Sequence, residues 1–117
     1  MSRVKSKAAI KHRKVRKLAK GYHAARSRRF KQANEAVMHA GAYAFHGRKL
    51  KKRDLRSLWI VRLSAAAKSL GTSYSKLINN LKKEKIELDR KILSDIAAKN
   101  PIVFEKVVKY LHERQLH

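Results

Sequence analysis

The side chains of this sequence best suited to binding a ligand are lysine and arginine, which gather in three clusters. The first lies within residues 1–20, the second follows Tyr22 as far as Lys31, and the third runs from Arg48 to Arg62. Such side chains replace counterions on phosphate groups, and arginine also stacks on unpaired bases. The clusters therefore predict binding to a nucleic acid.

Aromatic residues are interleaved with these cations, and two roles are open to each of them. Tyr22 and Phe30 either stack on unpaired bases or fix a turn to the next helix, and Trp59 either packs in a protein core or stacks on a base. The residues predicted to bind RNA are the basic side chains of the three clusters and two aromatic ones: Arg3, Lys5, Lys7, Lys11, Arg13, Lys14, Arg16, Lys17, Lys20, Tyr22, Arg26, Arg28, Arg29, Lys31, Arg48, Lys49, Lys51, Lys52, Arg53, Arg56, Trp59 and Arg62.

The charge is distributed unevenly along the chain. The formal net charge is +23, and residues 1–58 hold 19 basic and 2 acidic side chains, whereas residues 59–117 hold 12 and 6. The first half would repel itself if it folded compactly without counter-anions. We expect residues 1–20, where a stripe of Val4, Ala8, Val15 and Leu18 is too thin to bury, to be disordered in the free protein and helical on RNA.

Other chemistries have little support in the sequence. The chain has no cysteine, its six histidines have no metal-like spacing, and it contains no HExxH, GxSxG or glycine-rich phosphate loop. Glu35 and His39 are spaced for a surface contact on a helix, and Asp54 is expected to pair with Lys51. Met1–Ile10 contains no apolar run typical of a signal peptide or membrane span. We expect a cytoplasmic protein that is not an enzyme and uses no cofactor or metal.

The stretch Gly47–Leu70 must position the third cluster. Its first half is basic, and its second half carries an apolar stripe of Leu55, Trp59, Leu63, Ala66 and Leu70, so we predict one continuous helix. Upstream, Gly21 predicts a helix end, and helix resumes from Ala24 with a bend near Gly41 or Gly47. Phe30, Ala33, Val37, Ala40 and Ala44 form a second, thin stripe of small apolar residues.

The C-terminal part of the sequence predicts a small bundle of about four helices between Leu58 and Leu111. Thr72 or Ser73, then Asp89, then Asn100 before Pro101 are the predicted helix caps. The residues predicted to face the core share helical spacing: Tyr74, Leu77, Ile78, Leu81, Ile92, Leu93, Ile96, Ala97, Phe104, Val107, Val108 and Leu111, with Ile86 and Leu88 anchoring a connection. The predicted fold class is all-α, with a long basic helical N-terminal extension (residues 1–57) followed by a small helical bundle (residues 58–117).

Several blocks of this chain resemble the bacterial large-subunit ribosomal protein twenty family. They are AKGY (19–22), ARSR (25–28), KKRDLRSLWIVRL (51–63), AAA (65–67), SYSKLIN (73–79) and IELDRKILSDIA (86–97), and they stand in the family's order. The resemblance covers nearly the whole chain. The long arginine run at the family's N-terminus and its glycines near Ala24, Asn80 and Lys85 are absent here.

The resemblance implies a basic helical extension threaded into large-subunit ribosomal RNA and a small helical C-terminal domain. It also implies neighbouring large-subunit proteins as partners and early action in subunit assembly. In some members of the family the protein represses translation of its own messenger RNA.

Two other classes compete with an RNA-binding ribosomal protein. The charge permits a DNA-binding architectural or regulatory protein, and helix–GTS–helix at Leu70–Tyr74 loosely resembles a helix-turn-helix, although Leu77 and Ile78 would serve the core. A membrane-active basic helix needs a broad apolar face, and the N-terminal half offers only an alanine-rich stripe. The sequence therefore favours RNA.

Overall fold

The computed structural model describes residues 6–115, and within them the chain is helical and contains no strand. The elements are α1 (Lys7–Leu18), a 3₁₀ helix (Ala24–Ser27), α2 (Phe30–Ser69), α3 (Tyr74–Lys83), α4 (Arg90–Lys99) and α5 (Pro101–Glu113). Two compact units result, Met1–Leu50 and Lys51–His117, and the boundary falls inside α2. The predicted all-α fold, with a long basic helix followed by smaller helices, is confirmed.

Helix α1 forms because its ends are satisfied locally. The Ser6 hydroxyl accepts a hydrogen bond from the Ala9 N–H at 3.2 Å, and basic residues in the last turn complement the helix dipole. Gly21 then takes a left-handed φ of +86°, and the Tyr22 N–H donates to the Ala19 carbonyl at 3.0 Å. The helix end predicted at Gly21 is confirmed, and only glycine takes this backbone conformation without strain.

The packing of the N-terminal unit involves two small buried side chains and one pair of stacked rings. Ala19 and Ala33 are fully buried, and the His12 ring stacks on the Phe30 ring with centroids 3.8 Å apart. The stripe predicted on α1 is as thin as expected, because Leu18 remains 67% exposed and Val15 only half-buried. Val4 lies outside the described residues.

Helix α2 starts later than predicted and then continues without interruption. The residues after Ala24 form a 3₁₀ turn, in which the Ser27 hydroxyl donates to the Ala24 carbonyl at 2.9 Å, so the α-helix begins at Phe30. From there 40 residues are helical, including Gly41 and Gly47. The bend expected near one of these glycines stays a prediction.

The core of the C-terminal unit is a cluster of large apolar side chains from α2 to α5. Its buried members are Leu63, Ala67, Leu77, Leu81, Leu93, Phe104, Val108 and Leu111. The predicted core begins too early, since Leu58 is exposed and Trp59 is half-buried outside this cluster. Ile92 was also expected inside and is 46% exposed, because α4 turns Leu93, which was predicted beside it, to the core. Leu88, expected to anchor the connection before α4, is 38% exposed.

The predicted caps of the C-terminal helices are in place. Ser73 accepts from the Lys76 N–H at 3.3 Å, and Asp89 accepts from the Ile92 N–H at 2.8 Å. Asn100 occupies the N-cap of α5 without a side-chain hydrogen bond, and proline follows it as predicted.

Helices α2 and α3 end in the same way, with a left-handed residue just past the helix. At the end of α2 this residue is Gly71, and the Thr72 N–H donates to the Ala67 carbonyl at 3.0 Å. At the end of α3 it is Lys85, with φ of +55°, and the Ile86 N–H donates to Leu81 at 2.9 Å. Both are Schellman motifs. The tight turn after α3 thus forms although lysine replaces the glycine expected at this position.

Candidate nucleic-acid interface

The predicted cations are all presented to solvent wherever the structure describes them. Every lysine and arginine of the predicted interface from Lys7 to Arg62 is exposed, and Arg3 and Lys5 lie outside the described residues. The exposed members are Lys7, Lys11, Arg13, Lys14, Arg16, Lys17, Lys20, Arg26, Arg28, Arg29, Lys31, Arg48, Lys49, Lys51, Lys52, Arg53, Arg56 and Arg62.

These cations are also free of carboxylate partners within residues 6–115. None of them lies within 4.0 Å of an acidic oxygen there, and the predicted pair between Asp54 and Lys51 is therefore wrong. The physical reason is that an exposed lysine keeps its hydration and rotamer freedom at little cost, because such a pair is worth under about 1 kcal/mol. Another cation of the cluster, Lys49, lies over the Phe45 ring, 4.5 Å from its centroid. The charge on this surface is left available for an external anion.

Five of the cations converge around one recess in the N-terminal unit. The recess has a volume of about 670 Å³, and its lining residues come from α1, the Gly21 turn and the end of the 3₁₀ helix: Arg13, Arg16, Lys17, Lys20, Gly21, Ser27 and Arg28. The sequence predicted the cations but not their convergence, which depends on the turn at Gly21 between α1 and the 3₁₀ helix. A recess with five positive charges and no carboxylate in its lining is suited to a phosphate group.

A second cleft in the same unit is larger, with a volume of about 1090 Å³, and has a different chemistry. The 3₁₀ segment and one face of α2 line it with aromatic, polar and small side chains: Tyr22, His23, Ala24, Ala25, Arg26, Gln32, Glu35, Ala36, His39, Ala40 and Tyr43. Tyr22 and Arg26 were predicted site residues, whereas Gln32, Glu35 and Tyr43 were missed. Their helical spacing along α2 was the signal that could have found them.

The aromatic residues considered for base stacking differ in availability. Tyr22 is half-buried at the second cleft, and Trp59 is half-buried on α2. Phe30 has one ring face against His12, so its role in holding the turn is the one the structure supports. Tyr43 is not among the residues predicted from the sequence to stack on bases, and its side chain is 74% exposed.

The C-terminal unit differs in that two of its acids pair with a lysine one turn further along the same helix. Lys109 Nζ lies 2.7 Å from Glu105 Oε1, and Lys99 Nζ lies 3.8 Å from Asp95 Oδ2. The hydrogen bond from Lys109, together with its charge, lowers the pKa of Glu105 below its usual value. The Arg90 Nε–H also donates to the Tyr74 hydroxyl at 2.7 Å, tying α4 to α3.

Neither membrane nor metal chemistry has a structural basis within residues 6–115. No helix there is both long and apolar enough to cross a bilayer. The same residues contain no group of three or more histidine and acidic side chains arranged to hold a metal ion.

Comparison with known proteins agrees with the resemblance read from the sequence. A family described as Ribosomal protein L20 matches residues 2–107. The protein named "Large ribosomal subunit protein bL20" from Chloroflexus aurantiacus is 50% identical over 111 residues, which cover 93% of each chain. A protein of the same name from Chloroflexus aggregans is also 50% identical over 111 residues. A family match over most of the chain and two relatives at half identity show that this chain belongs to the ribosomal protein L20 family, whose members are structural components rather than enzymes.

Proposed function

We propose that this chain is a structural constituent of the large ribosomal subunit, located in the cytoplasm as part of the ribosome, and that it binds large-subunit ribosomal RNA directly. Family membership and the names of the relatives support the assignment to the large ribosomal subunit. The observation that carries RNA binding is the recess of five cations in the N-terminal unit, which has no carboxylate in its lining.

The mechanism is neutralisation of phosphate combined with recognition of shape. Each lysine or arginine that meets a phosphate releases counterions, and this release supplies free energy whatever the sequence of the RNA. Residues 1–57 are the RNA-binding extension in this proposal, and residues 58–117 are the folded domain. The predicted interface residues bind the backbone, with Tyr22 and Trp59 stacking on bases.

A basic extension of this kind brings together RNA segments that otherwise repel one another. That property supports action early in subunit assembly, alongside neighbouring large-subunit proteins. A surface that recognises RNA by charge and shape would also bind a messenger RNA segment of similar fold. The family resemblance therefore extends the proposal to translational repression of the chain's own messenger RNA.

The salt dependence of RNA binding tests the proposal directly. With roughly eight phosphate contacts, affinity for a large-subunit ribosomal RNA transcript should fall about as the sixth power of salt concentration. Replacing Arg13, Arg16, Lys17 and Arg28 by glutamine should lower that exponent by about three. Filter binding of the full-length proteins over a salt series measures both values.

A matched control separates the recess from total charge. Replacing Lys68, Lys76, Lys91 and Lys106, four exposed lysines of the C-terminal unit, by glutamine removes the same charge. The exponent should then stay near the wild-type value, and equal losses in the two variants would contradict a recess-centred interface. Preference for duplex DNA over the transcript at matched salt would instead favour a DNA-binding protein.

A further inference from the structure

The acid in the second cleft of the N-terminal unit is out of place on a surface built for phosphate. Glu35 is the one acidic residue in the first 53 positions of the sequence, and it lies in the cleft of about 1090 Å³ with Tyr22 and Tyr43. A carboxylate repels phosphate oxygens and accepts hydrogen bonds without donating any. What it can bind on an RNA is therefore an N–H group on the edge of a base.

The Glu35 carboxylate is also available to such a ligand. Among residues 6–115 no lysine or arginine lies within 4.0 Å of it, although the unit is rich in both. The one basic side chain of residues 6–115 at that range is His39, whose Nε2 lies 3.9 Å from Glu35 Oε1, longer than a hydrogen bond. The Glu35 side chain is 71% exposed, so an incoming base can reach it without displacing protein atoms.

Guanine is the base whose edge matches a carboxylate. Its N1–H and N2 amino group present two adjacent donors, which the two carboxylate oxygens can accept together. Adenine and cytosine offer one amino group beside a ring acceptor, and that acceptor would face the second carboxylate oxygen. Bidentate pairs of this kind supply discrimination between bases, whereas phosphate contacts do not.

The rest of the cleft fits the faces of a base. Tyr22 from the Gly21 turn and Tyr43 from α2 both line it, and tyrosine rings are stacking partners for unpaired bases. Four of its other lining residues are alanines, which leave the space open. One of them, Ala24, holds a left-handed φ of +53°, a strained conformation for a residue with a Cβ and one that clusters at ligand sites.

We propose that this cleft binds an unpaired guanine of the RNA, with the Glu35 carboxylate accepting from N1–H and N2–H₂ and tyrosine stacking on the ring. The proposal rests on the RNA binding proposed above, and it adds base selectivity to a surface that otherwise reads charge and shape. His39 and Gln32 are further polar residues that line the same cleft.

The test uses the full chain and three single-stranded RNAs. Each is a uridine heptamer whose central nucleotide is guanosine, inosine or adenosine, and inosine differs from guanosine only in lacking the N2 amino group. The wild-type protein should bind the guanosine heptamer about tenfold more tightly than the other two, as a bidentate base contact predicts. Fluorescence anisotropy at physiological ionic strength measures the three affinities.

Two variants isolate the carboxylate from the charge. Glu35→Gln should bind all three heptamers within about twofold of one another, because its amide cannot accept both guanine donors. Asp54→Asn adds the same charge from another exposed position on α2 and should keep the wild-type preference. Tyr43→Ala should weaken all three heptamers together, since stacking is tolerant of base identity. Circular dichroism confirms that each variant is folded.

The outcomes distinguish this site from RNA binding in general. Equal affinity of the wild type for guanosine and inosine, with steep salt dependence retained, overturns the guanine site and leaves the RNA-binding proposal standing. Equal affinities combined with an unaffected Tyr43→Ala variant overturn the cleft as an RNA site altogether and leave it to a protein neighbour. Failure to bind the heptamers and the ribosomal transcript overturns both proposals.

Discussion

The two compact units of this chain keep their structure by different means. In the C-terminal unit, large side chains such as Leu63, Leu93 and Phe104 are removed almost completely from solvent. In the described part of the N-terminal unit, the fully buried residues are Ala19 and Ala33. An alanine removes far less apolar area from water than a leucine or phenylalanine, so the first unit gains far less from burial.

The two units also differ in how many of their charged side chains are paired. The C-terminal unit pairs Glu105 with Lys109 and Asp95 with Lys99, whereas the interface cations of the N-terminal unit have no acidic partner within residues 6–115. Two ion pairs thus form inside the C-terminal unit, whereas the interface cations of the N-terminal unit are left for a partner. We therefore expect the C-terminal unit to be stable by itself and the N-terminal unit to depend on a polyanion.

The largest expected effect is in the C-terminal core. Phe104→Ala should destabilise this unit by about 3–5 kcal/mol, because it removes a ring and leaves a cavity that the cluster cannot fill. A domain of about 60 residues has little stability to spare, so it should unfold near room temperature. Thermal unfolding followed by circular dichroism measures the loss.

An exposed position on the same helix gives the control. Ile102→Ala removes apolar atoms from a side chain that is 69% exposed and should change stability by less than about 0.5 kcal/mol. Similar losses for the two variants would mean that the cluster around Phe104 does not hold the unit together.

The second prediction compares the units in one experiment. Backbone amides of α1 and of α2 before about Leu50 should exchange with solvent about a hundredfold faster than those of α5 in the free protein, because little apolar area holds the N-terminal unit. Addition of a ribosomal RNA transcript should protect the N-terminal amides and leave α5 unchanged. Hydrogen exchange followed by mass spectrometry reports both. Strong protection of α1 without RNA would contradict the dependence on a polyanion.

How far the sequence could predict the structure follows from where its information lies. The caps Ser73 and Asp89 and the Asn100–Pro101 step were predictable because their chemistry is local, and periodicity identified Leu77, Leu81 and Phe104 as core residues. Leu58 and Ile92 were misassigned because periodicity cannot tell which part of an amphipathic stripe meets another helix.

The candidate sites were predictable in composition and not in geometry. The cations and Tyr22 were predictable from residue type, but the convergence of Arg13 and Arg28 depends on the turn at Gly21. The second cleft was not predictable, because the spacing of Glu35 and His39 indicates only the surface contact that they make, and Tyr43 belongs to no charge pattern. Both clefts depend on which surfaces face each other, and the sequence does not state this directly.

The two Schellman turns differ in the residue at their left-handed position, which is lysine at the end of α3 and glycine at the end of α2. Lys85→Gly should stabilise the C-terminal unit by about 1 kcal/mol, because lysine at φ of +55° carries a Cβ penalty that glycine lacks. Gly71→Ala, at φ of +75° in the equivalent turn, should destabilise by a similar amount. Urea unfolding measures both, and destabilisation by Lys85→Gly would mean that the lysine side chain contributes something the backbone argument omits.

The smallest expected effect concerns the charge pairing of the C-terminal unit. Because Lys109 lowers the pKa of Glu105, the folded state favours the ionised carboxyl, and this contribution is complete above the pKa of an unfolded glutamate. It should disappear as the pH falls through the lower pKa of the folded state. The Glu105 carboxyl signal in an NMR titration should show the lowered pKa in the wild type and its usual value in Lys109→Met. Lys106→Met, an exposed lysine on the same helix without an acidic partner in residues 6–115, should leave the pKa lowered. If the two variants shift the pKa of Glu105 equally, the pairing is a property of net charge, and the contrast with the N-terminal unit loses its local basis.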